Sequence, residues 1–204
     1  MNPDISYIVS LYSRPVLLAT CLWSLMGQTH QDFEVIVTDN TEDEKIAARQ
    51  KAIVASMKDK RFRYFRTAGK LKVSDCYWSA EFGMKHATGR WLCFPCEDCY
   101  YPPEWAQRML GAAVSNNWDL ALCGGSISGP ETCGSNRYFS LELGSLAFPG
   151  YKPSFIVKAS KFPGWLNKPT MTACSGVDRT TLQYMVRDPR VKWGRVESLY
   201  YVHN

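Results

Sequence analysis

Gly89-Arg-Trp-Leu-Cys-Phe-Pro-Cys-Glu-Asp-Cys-Tyr-Tyr-Pro-Pro103 is the stretch whose reading decides the fold. It opens as a short apolar run, Trp91 to Phe94, and places two carboxylates, Glu97 and Asp98, where that run stops. A buried strand that ends in acid suits an open α/β sheet, in which ligands bind in the crevice beyond the carboxyl ends of the strands. Pro102 and Pro103 stop the strand and start a new element, because proline cannot donate to a sheet ladder and suits the first turn of a helix. The reading is strand, acids, turn, helix. Carboxylates on such a turn suit a hard divalent cation, which takes oxygen ligands and also bridges the phosphates of a nucleotide.

Working outward, the first hundred residues alternate regularly. Ile5 to Leu11 is β-branched and short enough to be a strand. Tyr12-Ser13-Arg14-Pro15 turns into a helix over Val16 to Met26, with Leu17, Leu18, Cys21, Leu22 and Leu25 at helical spacing, Ser13 as its cap and Gly27 as its stop. Phe33 to Thr38 reads as a second strand, and Thr41 followed by Glu42, Asp43 and Glu44 starts a helix that runs to Lys58. Arg61 to Arg66 is a charged strand expected near an edge, and Ser74 to His86 is helical by spacing. The order β-α-β-α-β-α-β implies a largely parallel sheet wrapped by helices.

Beyond Pro103, Glu104 to Asn116 reads as helix and Trp118 to Cys123 as strand, followed by a glycine-rich region. Ser154 to Val157 reads as strand, Arg179 to Val186 as helix and Val191 to Val202 as a closing strand or strand pair. With 204 residues, 46% hydrophobic and 21% charged, the chain suits one soluble α/β domain over 1–204, and no apolar run approaches the ~20 residues of a membrane span. Without a signal-like N-terminus, a cytoplasmic location is expected. The net charge of +5 favours approach of an anionic ligand without marking a nucleic-acid partner. Eight cysteines in such a chain are expected as reduced thiols. Cys93-x-x-Cys96-x-x-Cys99 offers three thiols where an iron–sulfur cluster wants four, so no cluster is expected.

Four blocks in order, with a C-terminal histidine beyond them, resemble the family-2 inverting glycosyltransferases, which have the nucleotide-sugar-binding GT-A fold. Ile8 to Pro15 with Gln28-Thr29 is similar to the family's opening strand, its Tyr-Asn-Arg-Pro turn and its later Gln-Thr. Phe33 to Thr41 resembles the second strand ending in Asp-Asp-Gly-Ser, and Ala87 to Asp98 the strand ending in Asp-x-Asp. Ser175-Gly-Val-Asp178 resembles the Glu-Asp motif, and Tyr201-Val-His203 the C-terminal histidine. The departures are specific: Cys96 stands at the first Asp of Asp-x-Asp, Thr38 and Asn40 replace an Asp and a Gly, Ser10 replaces a Pro, and Gly176-Val177 replaces the Glu before Asp178.

The resemblance implies a single GT-A domain whose residues 1–100 bind a nucleotide sugar and whose residues 101–204 bind the acceptor. It implies metal-assisted direct displacement from a nucleotide-diphosphate sugar, UDP-linked by preference, to an acceptor hydroxyl. Asp39 is expected against the nucleobase with Tyr12 stacked near it, and Arg14, Lys70 and Glu97 join the nucleotide-binding set. Asp98 is expected to bind Mn2+ or Mg2+ with His203 completing the coordination, and Asp178 to act as general base. Each has a plainer alternative. Asp39 and Asp178 suit helix caps, Asp98 a turn, Lys70 solvent, and His203 a surface position. Trp165, Trp193 and Tyr151 suit core packing better than acceptor stacking. Glycan, lipid-linked sugar, protein and modified DNA base all stay open as acceptor. A catalytically degenerate sugar-nucleotide-binding protein is the rival reading, on the strength of Cys96 and the missing Glu. A nucleotidyltransferase is disfavoured, because the first turn lacks a glycine-rich phosphate loop.

Overall fold

The computed structural model describes residues 2–67, 76–127, 137–139, 154–166 and 174–203. Strand β1 (Ile5–Leu11) leads through helix α1 (Pro15–Met26) to β2 (Phe33–Asp39), then through α2 (Glu44–Ser56) to β3 (Phe62–Arg66), then through α3 (Cys76–Met84) to β4 (Trp91–Cys93). The second half adds β5 (Cys99–Tyr100), α4 (Trp105–Ser115), β6 (Leu120–Ile127), β7 (Arg137–Phe139), β8 (Phe155–Lys158), α5 (Cys174–Arg187) and β9 (Trp193–His203). Among the described residues the strands form one sheet in the order β3-β2-β1-β4-β8-β6-β9-β5, with β7 paired to β6. β3, β2, β1 and β4 are parallel to one another, as β6 is to β9, while β8 runs antiparallel to β4 and β6, β5 to β9 and β7 to β6.

Period-2 alternation sorts the strand residues onto two apolar layers. Ile5, Tyr7, Val9 and Leu11 of β1, with Val35 and Val37 of β2, pack with Leu18, Cys21, Leu22 and Leu25 of α1 and with Trp105 and Met109 of α4. Ile8 and Ile36, one residue out of phase, face the opposite side with Tyr77 and Ala80 of α3 and Leu182 and Met185 of α5. Every residue of β1 and β2 is buried, as parallel strands covered by helices on both faces must be. Each fully buried aliphatic side chain contributes about 1.5–3 kcal/mol, so these two layers carry the fold.

Gly89, two residues before β4, lies where space has run out: a Cβ there would lie 2.6 Å from both the backbone nitrogen and the hydroxyl of Ser6. Gly89 N–H instead donates to Ser6 Oγ at 2.8 Å, and Ser6 Oγ donates to Glu34 Oε1 at 2.6 Å. Glu34 also accepts from the Thr88 N–H and hydroxyl and from Arg63 Nη2. That buried junction fixes β4 beside β1 at its amino end.

Several sequence expectations shift. Ser13 does not cap α1: its φ is 65°, and the capping position is held by Arg14 without a side-chain bond. Asp43, not Thr41, caps α2, accepting from the Lys45 and Ile46 N–H groups. Pro102 and Pro103 stand ahead of α4 rather than in it, and the buried Gln28 serves its first turn, accepting from Ala106 N–H at 2.9 Å while donating to Pro102 O at 2.8 Å. The glycines Gly124 and Gly125 lie inside β6, beside a register shift against β9. Helix α5 begins at Cys174, five residues before the expected Arg179. β3 does lie at the sheet edge. No helix among the described residues is long and apolar enough to cross a membrane.

Candidate active site

The strand order reverses between β1 and β4. From β1 the chain moves outward through β2 and β3, then returns to β4 on the other side of β1. A crevice opens at such a reversal, beyond the carboxyl ends of the two strands that flank it. Past the end of β4, Cys96 still forms a parallel bridge with Ser10 of β1, and Ser10 N–H donates to Pro95 O at 3.2 Å. Segments 12–14 and 96–98 therefore lie side by side.

Their side chains meet across the crevice. Ser13, in the left-handed region at φ 65°, donates its N–H to Thr41 Oγ1 at 2.9 Å, which pins the turn after β1 to the turn after β2. The chain reverses there and sends Arg14 back over β4, where Nη1 donates to Asp98 Oδ2 and Nε lies 3.9 Å from Glu97 Oε1. Tyr12 N–H donates to Glu97 Oε1 at 3.2 Å. The two acids are buried, whereas the Arg14 side chain is 53% exposed and Tyr12 is 38% exposed. Burial pushes the Glu97 carboxyl up to about 7, and the neighbouring Asp98 carboxylate adds to the rise against the pull of Arg14 and the Tyr12 N–H. Glu97 thus staples β4 to β1 from below, and Arg14 is the open face of the cluster.

Asp39 lies at the end of β2. It is fully buried, and its carboxylate accepts from Thr41 N–H at 2.8 Å, Gln50 Nε2 at 3.0 Å and the Tyr64 hydroxyl at 2.5 Å. The residue expected against a nucleobase is therefore held by three internal donors, with its carboxylate buried. Asp39 holds the turn that ends in Thr41, and Thr41 receives Ser13. Burial and the Asp39 carboxylate raise the Tyr64 phenol well above its ordinary range. Gln50 was legible as a signal: it falls on the buried stripe between Ala47 and Val54 of α2, where a glutamine needs a buried partner.

Lys70 and Tyr151 lie outside the described residues. Asp178 sits in the second turn of α5, since the helix starts at Cys174, so the helix-capping alternative does not apply to it. His203 ends β9 with its backbone paired to Cys99 of β5, one residue from Asp98. Trp165 is buried among Tyr77, Phe94 and Phe162, and Trp193 Nε1 donates to Val186 O at 3.0 Å, so both are packing residues. Cys93 is buried near the Tyr101 hydroxyl, and Cys99 Sγ lies 3.8 Å from Asp98 Oδ1.

The donor atoms decide what cation the crevice suits. Asp98 offers a hard oxygen, while Cys96 puts soft sulfur two residues before it. Among the described residues no three His, Cys, Asp or Glu side chains gather to hold a metal ion. One carboxylate nevertheless fits a Mg2+- or Mn2+-like ion that draws its other oxygens from phosphates and water.

Comparison with known proteins agrees with the geometry. The family model described as Glycosyl transferase family 2 matches residues 6–153. Two relatives named as uncharacterized glycosyltransferases are each 30% identical: one from Rickettsia bellii (strain RML369-C) over 117 residues, and EpsJ from Bacillus subtilis (strain 168) over 125 residues. The matched segments are 57% and 61% of this chain but only 16% and 34% of those relatives, which are much longer. Crystal structures of S. aureus TarS 1-349 in complex with UDP and with UDP-GlcNAc superpose with TM-scores of 0.74 and 0.73 at 15% identity, over 98% of this chain and 60% and 58% of theirs. At that identity the likeness is one of fold. With the family model spanning most of the chain and the β1/β4 crevice where its fold requires one, the protein belongs to glycosyl transferase family 2.

Proposed function

We propose that this chain transfers a sugar from a nucleotide-diphosphate donor, UDP-linked, to an acceptor hydroxyl by direct displacement with inversion. The observation that carries this reading is the Arg14–Glu97–Asp98 cluster at the strand-order reversal, a cationic fork set on two buried carboxylates beside the exposed ring of Tyr12. A diphosphate leaving group needs positive charge at that place, and the TarS structures hold UDP and UDP-GlcNAc on the same fold. In this reading residues 1–100 bind the donor and residues 101–204 the acceptor. Tyr12 flanks the base and Arg14 the diphosphate. Asp98, with His203 of the neighbouring strand, is the holder of Mn2+ or Mg2+. Bound there, such an ion acts as a Lewis acid that shares the charge of the departing diphosphate.

Asp178 takes the proton of the acceptor hydroxyl. The acceptor oxygen then forms its bond to the anomeric carbon as the bond to the diphosphate oxygen breaks, and the electron pair leaves with the phosphate. Cys96 supports a second reading, a binding protein of the same fold that has lost turnover. Incubation with a panel of nucleotide sugars, followed by mass spectrometry of the released nucleotide, separates the two. UDP release from one donor supports transfer, whereas tight UDP binding with no release from any donor and acceptor pair supports the second reading.

A further inference from the structure

We propose that Arg14 is a resident counter-cation of Asp98 that moves to the donor's diphosphate when the donor binds, so that nucleotide and divalent-cation binding are coupled. The proposal rests on the reading of the crevice as the donor site.

Asp98 is 5% exposed, and a second buried acid, Glu97, lies beside it. Buried carboxylates left without a positive partner are costly, and Arg14 supplies that partner from the surface. Among the described residues nothing else fastens the arginine as firmly. It occupies the capping position of α1 without making a side-chain cap bond, its side chain is 53% exposed, and its reach to Glu97 is a loose 3.9 Å. The guanidinium is a planar fork, and diphosphate oxygens suit it as well as a carboxylate does.

A divalent ion and the guanidinium compete for the same carboxylate, because Asp98 Oδ2 already accepts from Arg14 Nη1 and two cations at one oxygen repel. With the crevice free of nucleotide, the arginine therefore excludes the metal. An arriving diphosphate offers Arg14 a second anion of higher charge, and the released carboxylate becomes available to the ion that the phosphates bring. Both cations then face the diphosphate, and Asp98 is never left unpaired. Linkage requires that each ligand tighten the other by the same factor.

The test is a Mn2+ titration of the full chain followed by electron paramagnetic resonance of the free ion, with and without UDP, corrected for chelation by UDP alone. Wild type is expected to bind Mn2+ at least about tenfold more tightly with UDP present. Arg14→Gln is expected to bind Mn2+ without UDP about tenfold more tightly than wild type does, and to bind UDP more weakly in EDTA. Adding Asp98→Asn removes the Mn2+ gain. If Arg14→Gln does not fold, Arg14→Lys, which keeps the charge and loses the fork, is expected to show the same gain at smaller size. Equal Mn2+ affinity in wild type and the variant without UDP, or a gain that survives Asp98→Asn, overturns the exchange. With tight UDP binding intact, that result leaves the donor reading standing. UDP binding to neither protein overturns the donor reading, and the exchange with it.

Discussion

The Tyr64 hydroxyl of β3 donates to Asp39 Oδ2 at 2.5 Å, on the same buried oxygen that receives Gln50 of α2. Three elements are joined through one carboxylate, which in turn sets Thr41 under the Ser13 turn. Asp39→Asn presents an amide N–H₂ to an oxygen site where Gln50 Nε2 and the Tyr64 hydroxyl both donate, so it is expected to destabilise the protein by about 3 kcal/mol in urea unfolding. Tyr64→Phe removes one donor and is expected to cost about 1–2 kcal/mol. An Asp39→Asn protein as stable as wild type that has lost UDP affinity would instead make Asp39 a direct ligand of the base.

Much of the fold was legible, because β1 and β2 are long and buried on both faces and the first elements are punctuated by Pro15, Gly27 and Gly89. The strand-end acids were legible for the same reason. What escaped was set by contacts between distant residues. Asp39 accepts hydrogen bonds from positions 11 and 25 residues away, and Arg14 meets Asp98 across 84 residues, pairings that no local pattern encodes. β5, at two residues, is too short to leave a periodicity. The start of α5 escapes a local reading because Gly176 and Asp178 look like a helix entrance, while the helix already runs from Cys174. Gly124 and Gly125 looked like a loop and are a register shift within a strand.

Acid should loosen the junction at Glu34. Burial alone would raise this carboxyl, but hydrogen bonds from Ser6 and Thr88 and the charge of Arg63 outweigh it and hold the value below the ordinary glutamate range. A depressed folded-state pKa means stability that is present above the unfolded value, about 4.3, and lost as pH falls through the folded value. Melting temperature should therefore drop on the acid side of pH 4. Glu34→Gln should cost about 2 kcal/mol at pH 7 and shallow that acid limb. Parallel acid limbs in the two proteins would remove Glu34 from the explanation.

Two glycines should respond in opposite directions. Gly89→Ala drives a Cβ against the Ser6 backbone, which cannot yield as a side chain can, and is expected to cost about 3 kcal/mol. Gly111 of α4 has open space around its Cβ position, and Gly111→Ala is expected to stabilise by about 0.5–1 kcal/mol. Chemical denaturation of both variants checks the packing of β4 on β1, and a neutral Gly89→Ala would show that the junction is looser than these contacts.

Asp178→Asn tests the proposed base. Because Asp178 is a full turn inside α5, the substitution disturbs no cap, and melting temperature and UDP affinity should stay at wild-type values. Transfer should fall by ~10²–10⁴-fold, the usual contribution of a general base. Wild-type transfer by the folded variant would move the base to another acid.

Calorimetric titration with UDP, in Mn2+ and in EDTA, on wild type and Asp98→Ala, bears most directly on the crevice as a metal-assisted donor site. Wild type is expected to bind saturably and at least about tenfold more tightly in Mn2+, a coupling of ordinary size. In Asp98→Ala that ratio should collapse toward one, whatever the freed Arg14 does to the absolute affinity. Absence of saturable UDP binding by wild type, or the same Mn2+-to-EDTA ratio in both proteins, would contradict the assignment of Asp98 and of the crevice it closes.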